Sequence, residues 1–278
     1  MTGSGEKANG PDPASADTLS GFLSRPMTPP DTAIVAAIEA GPIDPASALP
    51  RDQLDRLLDP MALKAETGWC HSPDGVAYVA VRTPMPEVTA EMVDWWFDWH
   101  PREPLRYQVW FPVAHESNSL EPAAIGGPKA HWGAIHHPVE DVGVGLMRAR
   151  IEFVRPTEIG FSTDALDDPA VATIVCGWAG DEAKRVRAGP MVHVFLREGA
   201  GLVLRSRFWL GASIRPYAPE PLASAAGFLL NNRLVRRLAL PTGLPHALAL
   251  HCAAEYANFA TLVPELFERF GPGSVEHQ

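Results

Sequence analysis

The spacing of apolar positions changes period four times along the chain. In "DTAIVAAIEAG", residues 31–41, they recur at helical spacing, with Asp31 placed to cap the start and Gly41 to stop the end. "PRDQLDRLLDPMAL" puts Leu54, Leu57 and Leu58 on one side and predicts a second helix. After the turn signal "SPDG" at 72–75, "VAYVAVR" alternates as a strand does. "TAEMVDWWFDWH", residues 89–100, returns to helix behind a threonine cap and carries Trp95, Trp96, Phe97 and Trp99. Alternation then takes over. "LRYQVWFPV", "LMRARIEFV", "ATIVCGWAG", "MVHVFLRE" and "GLVLRSRFWLG" read as successive strands, with "REGAG" as the hairpin turn between the last two. Residues 221–270 are helical again, and Pro264 is expected to end or kink the last helix near Leu262.

Strands in series followed by a long helix, without βαβ alternation, predict an antiparallel α+β domain. A curved sheet gripping that helix would enclose a cavity. There are no internal repeats, and no phosphate-cradling glycine loop or GxSxG elbow occurs, so nucleotide binding and serine-nucleophile chemistry find no support. A net charge of −10 repels phosphate backbones and argues against nucleic acid as the partner. No run of eighteen apolar residues appears, which argues against a membrane span. The opening "MTGSGEKANGPDPASADTLSG" lacks the apolar segment of a secretory signal and reads as a mobile tail over 1–20. Three cysteines, Cys70, Cys176 and Cys252, lack CxxC spacing and read as buried thiols, in keeping with a cytoplasmic protein.

Candidate chemistry sits on the last helix. Leu244, Leu248, His251, Glu255, Phe259 and Leu262 follow steps of three and four and share one face. A carboxylate on such a face needs a compensating partner. A His–Glu hydrogen bond inside a core satisfies that need as well as a metal does. A metal would require further ligands, and ten histidines are available. His71, His136, His137 and His277 read as solvated, and His100 as a helix-end cation. His115, His131, His193 and His246 remain, His115 at a strand end. Glu152 shares a strand face with Arg148 and Arg150, which equally suits an exposed ion pair. Spacing alone leaves the choice open.

Taken in order, "DWWFDWH", "RYQVWFPVAHESN", "RIEFVRP" and "HCAAEY" resemble the 2,4-diacetylphloroglucinol hydrolase family, which includes the phloretin hydrolases, over most of residues 85–265. The resemblance implies a START/pollen-allergen-type helix-grip catalytic domain over 101–278, preceded by a mostly helical N-terminal domain over 21–100, in a homodimer. It implies zinc held by His115, Glu152, His251 and Glu255, with Tyr107, Asn118 and His193 on the substrate's phenolic oxygens. The implied reaction is hydrolysis of the carbon–carbon bond between an acyl group and a polyhydroxylated aromatic ring. Two departures stand out. The interval from His115 to Glu152 is longer than the family's, which suggests an inserted loop around 122–145 and keeps His131 and His136 as alternative ligands. The family's second substrate tyrosine has only Trp209 nearby, in "RFWLG". Trp95, Trp96 and Trp99 suit either a pocket wall or helix–sheet packing. The competing classes are a metal-free carrier of small aromatic or lipid-like ligands and a zinc ester or lactone hydrolase.

Overall fold

A computed structural model describes residues 19–59, 61–123 and 128–274. Nearly all of the expected N-terminal tail, and His277, lie outside the described residues. The strands are β1 (Gly68–His71), β2 (Ala77–Met85), β3 (His115–Ser117), β4 (Leu120–Glu121), β5 (Ile135–His136) and β6 (Val139–Asp141). They continue as β7 (Leu146–Phe153), β8 (Val171–Asp181), β9 (Val186–Glu198), β10 (Gly201–Leu210) and β11 (Arg215–Pro216). Their spatial order is β1-β2-β10-β9-β8-β7-β5-β4, with β6 joining β3 to β7 and β11 on β9. Every pairing is antiparallel. The helices are α1 (Thr32–Glu39), α2 (Ala90–Trp99), α3 (Pro104–Trp110), α4 (Glu220–Leu230), α5 (Arg233–Ala239) and α6 (Leu244–Phe270), besides single turns. The sheet grips α6, which packs on β1, β2 and α2. This is the expected α+β helix-grip fold.

Local signals set several of these elements. The Asp31 carboxylate accepts the Ala33 N–H at 2.7 Å and starts α1. Thr89 Oγ1 accepts the Met92 N–H at 3.3 Å and starts α2. Gly199 takes a φ of +61° in the two-residue turn joining β9 to β10, where a side chain would be strained.

Two expectations give way, and of the two outcomes expected at Pro264 one does not occur. "LRYQVWFPV" forms helix α3 instead of a strand. Its apolar residues fit both periods, since Tyr107, Trp110 and Phe111 are three and four apart. Pro104 at the first helical position and packing against α6 decide for helix. Residues 51–57 form a 3₁₀ segment with a break at Gln53. Pro264 does not end α6, because Leu266 and Phe270 beyond it stay buried and hold the last turns. The loss of one backbone hydrogen bond is outweighed by that packing.

Both faces of the sheet are covered. On β2, Ala77, Val79 and Val81 face the core shared with α6, while Tyr78 and Ala80 face a second core. The segment around Leu49, Leu54, Leu57 and Leu58 seals that second face. The division expected at residue 100 therefore does not coincide with a break in the sheet, since β1 and β2 are paired into it through β10. A charged clamp fixes the cover. Arg205 and Arg207 point from β10 to this face with side chains 4% and 0% exposed, and both reach Glu66. Arg205 also donates to the carbonyls of Leu57 and Met61 at 3.0 Å.

Glu66→Ala should lower unfolding stability by about 3–5 kcal/mol in a urea titration, because it strands two buried guanidinium groups. A change below about 1 kcal/mol would show that the clamp does not hold the cover.

Candidate metal centre

Helix α3 and the turn after it deliver the first histidine. His115 donates its backbone N–H to the Phe111 carbonyl at 2.9 Å, and its Nδ1 lies 3.1 Å from the Tyr107 carbonyl. A proton on Nδ1 for that contact leaves the Nε2 lone pair free, and this buried Nε2 has no hydrogen-bond partner. The Tyr107 ring stacks on the imidazole, 3.9 Å between centroids and 2° from parallel. Strand β6 pairs with β3 so that Glu140 lies directly across from His115. Helix α6 supplies His251 and Glu255, one turn apart and buried as expected.

Four contacts close the group. His115 Nε2 is 3.4 Å from both Glu140 Oε2 and Glu255 Oε2. His251 Nε2 is 3.5 Å from Glu140 Oε2 and 3.4 Å from Glu255 Oε2. These separations are long for charge-assisted hydrogen bonds. Ligand atoms roughly 2.0–2.1 Å from a tetrahedral zinc lie about 3.3–3.4 Å apart, close to these four histidine–carboxylate separations. His115, His251 and Glu255 have ligand atoms that all lie within 4.8 Å of one another; Glu140 touches both histidines but falls outside that group.

The electrostatics also call for a cation. Burial alone depresses an imidazole, but the carboxylates of Glu140 and Glu255 overrule it, raising His115 and taking His251 to about 10. Burial alone raises a carboxyl, yet the two imidazoles hold Glu140 and Glu255 below their usual range. The group thus binds positive charge, as protons or as a metal ion.

Glu152 is not part of it. On β7, Ile151 and Phe153 line the cavity beside the group, and strand alternation turns Glu152 to the other face. Its carboxylate accepts from Arg150 Nε at 3.0 Å. Glu140 stands in its place, only 25 residues after His115, which accounts for the long interval to Glu152. A local signal existed: Asp141 Oδ1 accepts the N–H groups of Gly143 and Gly145 in a hairpin turn that makes β6 the partner of β7.

Tyr107, Asn118 and His193 are all buried in the wall of a cavity of about 90 Å³ next to the group. The Tyr107 hydroxyl donates to Glu140 Oε2 at 2.8 Å, and burial with Glu140 and Glu255 nearby raises its pKa well above normal, keeping it a donor. Asn118 Nδ2 is 3.5 Å from His100 Nε2, and its Oδ1 has no protein partner. His193 Nδ1 lies 2.8 Å from Ser206 Oγ.

Two histidines expected at the surface are buried. His100 and His136 are 2% exposed and line the cavity, where burial depresses His100 to about 3 and His136 well below normal. Both are neutral imidazoles. His131 is buried against Phe97 and Phe153, away from the group. Trp95, Trp96 and Trp99 pack among themselves, and Trp99 stacks on Phe270, so packing accounts for them. Trp209 points to the second core and donates to the Leu49 carbonyl; the cavity's other tyrosine is Tyr256, on α6.

The strand order and this group define the chain as a helix-grip protein in which buried His115, His251 and Glu255 could hold a divalent metal, with Glu140 against both histidines. The family described as "DAPG hydrolase PhiG domain" matches residues 49–268, and the chain belongs to that family. A 2,4-diacetylphloroglucinol hydrolase of Pseudomonas protegens is 33% identical over 227 residues, 79% of this chain and 73% of that protein. A phloretin hydrolase of Eubacterium ramulus is 28% identical over 254 residues, 88% of each chain. Among solved structures, the major latex-like protein 151 of Panax ginseng superposes with a TM-score of 0.34 at 13% identity, covering 60% of this chain and 99% of that one.

Glu140→Gln should lower zinc affinity about tenfold or more, as ligand changes do at zinc sites. Glu152→Gln should leave metal content unchanged and alter stability by no more than about 1 kcal/mol. Metal analysis of both purified variants checks the pair, and the reverse result would restore Glu152 to the centre.

Proposed function

We propose that this protein is a zinc-dependent hydrolase that cleaves the carbon–carbon bond between an acyl group and a polyhydroxylated aromatic ring, in 2,4-diacetylphloroglucinol-like or phloretin-like acylphenols. We assign His115, Glu140, His251 and Glu255 as the zinc ligands. The observation that carries this reading is the set of four histidine–carboxylate contacts of 3.4–3.5 Å beside a cavity lined by His100, Asn118, His136 and His193.

The reaction adds water across the bond: its oxygen joins the acyl carbon, the ring–acyl bond breaks, and a proton ends on the ring carbon. Zinc in the centre would supply Lewis acidity toward the acyl carbonyl and lower the pKa of water. The chain's own residues handle the leaving ring. As the bond breaks, its electron pair spreads onto the ring's ortho and para oxygens. In this reading Asn118 and His193, both in the cavity wall, hold these oxygens, and His193, depressed by burial to about 4, is neutral and donates there. Tyr107 donates its proton to Glu140, so it orients that carboxylate and leaves its hydroxyl oxygen to accept from a substrate hydroxyl. In a metal-free carrier, Glu140 and Glu255 would be compensated by protonated imidazoles alone, with no role for the hydrogen-bonding wall in catalysis.

The fold supports two coarser proposals. No helix among the described residues is long and apolar enough to cross a membrane, and the three cysteines are buried free thiols, which fits a cytoplasmic protein. On α4 and α5, Leu222, Phe228, Leu229, Leu234 and Leu238 are 66–86% exposed, an apolar surface that a homodimer would cover.

Protein purified without added zinc should carry one zinc per chain and cleave acylphloroglucinols faster than aryl esters. Absence of metal even after zinc is supplied would favour the carrier. Tyr107→Phe should keep its zinc while turnover falls roughly 10- to 100-fold, the usual effect of losing a group that orients a zinc ligand. Light scattering should give twice the chain mass, and a monomer at micromolar concentration would end the dimer proposal.

A further inference from the structure

We infer that the cavity continues into a second, apolar chamber that receives the acyl tail of the substrate, so that the preferred acyl group is an apolar chain of several carbons and not acetyl. The inference rests on the acylphenol reading above. The second chamber measures about 190 Å³ and shares Glu140, Val142, Ile151, Met191, Phe208 and Leu248 with the first. The two halves differ in chemistry. The first holds His100, Asn118, His136 and His193; the second is walled by Met147, Ala149, Ala188, Leu210, Leu240 and Leu244. Besides the shared Glu140, its charged residues Asp181 and Lys184 pair with each other at 2.9 Å, and the lysine side chain is 66% exposed.

Two features keep the chamber open. Ala149, Ala179 and Ala188 bring small side chains to it from β7, β8 and β9. Leu244 and Leu248 are only partly buried, although Ala249, Cys252 and Ala253 on the same helix are sealed. Their apolar surface faces space and not protein.

The junction fixes the orientation. The acyl carbonyl must lie at the centre, and Glu140 borders both chambers. The ring oxygens need the polar wall, so the ring occupies the first chamber. The acyl substituent then points through the shared wall into the second. A methyl group would leave that chamber unfilled. Each methylene transferred into it should strengthen binding roughly three- to fourfold.

The acid product carries the same tail, so alkanoates test the chamber without turnover. Calorimetric titration of the zinc-loaded protein with acetate through octanoate should show affinity rising about threefold per methylene and then levelling. Ala188→Leu should level the series at a shorter chain. Acylphloroglucinols should show the same order in kcat/KM, hexanoyl above acetyl. An affinity independent of chain length, or cleavage of the acetyl compound with every longer chain slower, would overturn the chamber's role. A rising alkanoate series with no cleavage of any acylphloroglucinol would instead overturn the reaction and leave the apolar-tail site standing.

Discussion

Two carboxylates buried against a hydrophobic helix are the constraint around which the site is organised. Glu140 and Glu255 are nearly withdrawn from solvent, and an ionised carboxylate in such a place is tolerable only beside positive charge. His115 and His251 bring that charge within 3.5 Å, as protons or through a shared metal. The supporting hydrogen bonds all tighten this juxtaposition. Trp110 Nε1 donates to the Glu255 carbonyl at 3.1 Å, and Asn258 Nδ2 donates to the Trp110 carbonyl at 2.7 Å. These two bonds lock α3 to α6 beside the centre. Because only a four-residue turn, closed by the His115 N–H on the Phe111 carbonyl, separates His115 from α3, the lock also sets its distance from His251.

The same residue type plays two parts in one cavity, and the nearest charges decide which. His251 and His193 are both deeply buried, yet His251 is raised to about 10 and His193 is depressed to about 4. Burial pushes both down. His251 faces two carboxylates at 3.4–3.5 Å, whereas His193 has Ser206 and the more distant charge of Glu255. The result is a cavity in which the His–Glu cluster attracts positive charge while His100, His136, His193 and Asn118 give much of the rest of its polar lining. That polarity suits a reaction in which a carbonyl is activated at one end while negative charge grows on hydroxyl-bearing carbons at the other.

What could be read from the sequence follows the range of the interactions involved. The caps Asp31 and Thr89 act within three residues, and the helices they start were legible. His251 and Glu255 share one helical turn, so their common face could be read directly. The run from Leu105 to Phe111 could not, since its short aromatic pattern fits both periods and contact with α6 decides. Glu140 lies on a strand of three residues, too short to show alternation, and its place opposite His115 is set by pairing between strands 25 residues apart. Glu152, on a long and clear strand, was the more visible carboxylate. Yet that same alternation, with Ile151 and Phe153 facing inward, is what excludes it. His100 and His136 looked solvated because loop and helix-end positions usually are; here the surrounding Trp96, Tyr107 and Phe153 rings enclose them.

The centre draws on three parts of the chain: the turn after α3, the β6–β7 hairpin and the last helix. None of them can hold a metal alone, since each brings only one or two ligand groups. They meet because β7 joins the long ladder of β8, β9, β10 and β2, and because β2 is the strand on which α6 lies. The clamp of Glu66 on Arg205 and Arg207 acts on the far side of β10 and holds the cover that closes the second face. The ladder is thereby buried on both faces, which resists the bending that would separate β7 from α6. Charges that are costly to bury alone are thus brought together by a sheet whose other face touches no part of the site. Ligand binding at the centre would in turn favour the folded state, because only that state assembles the group.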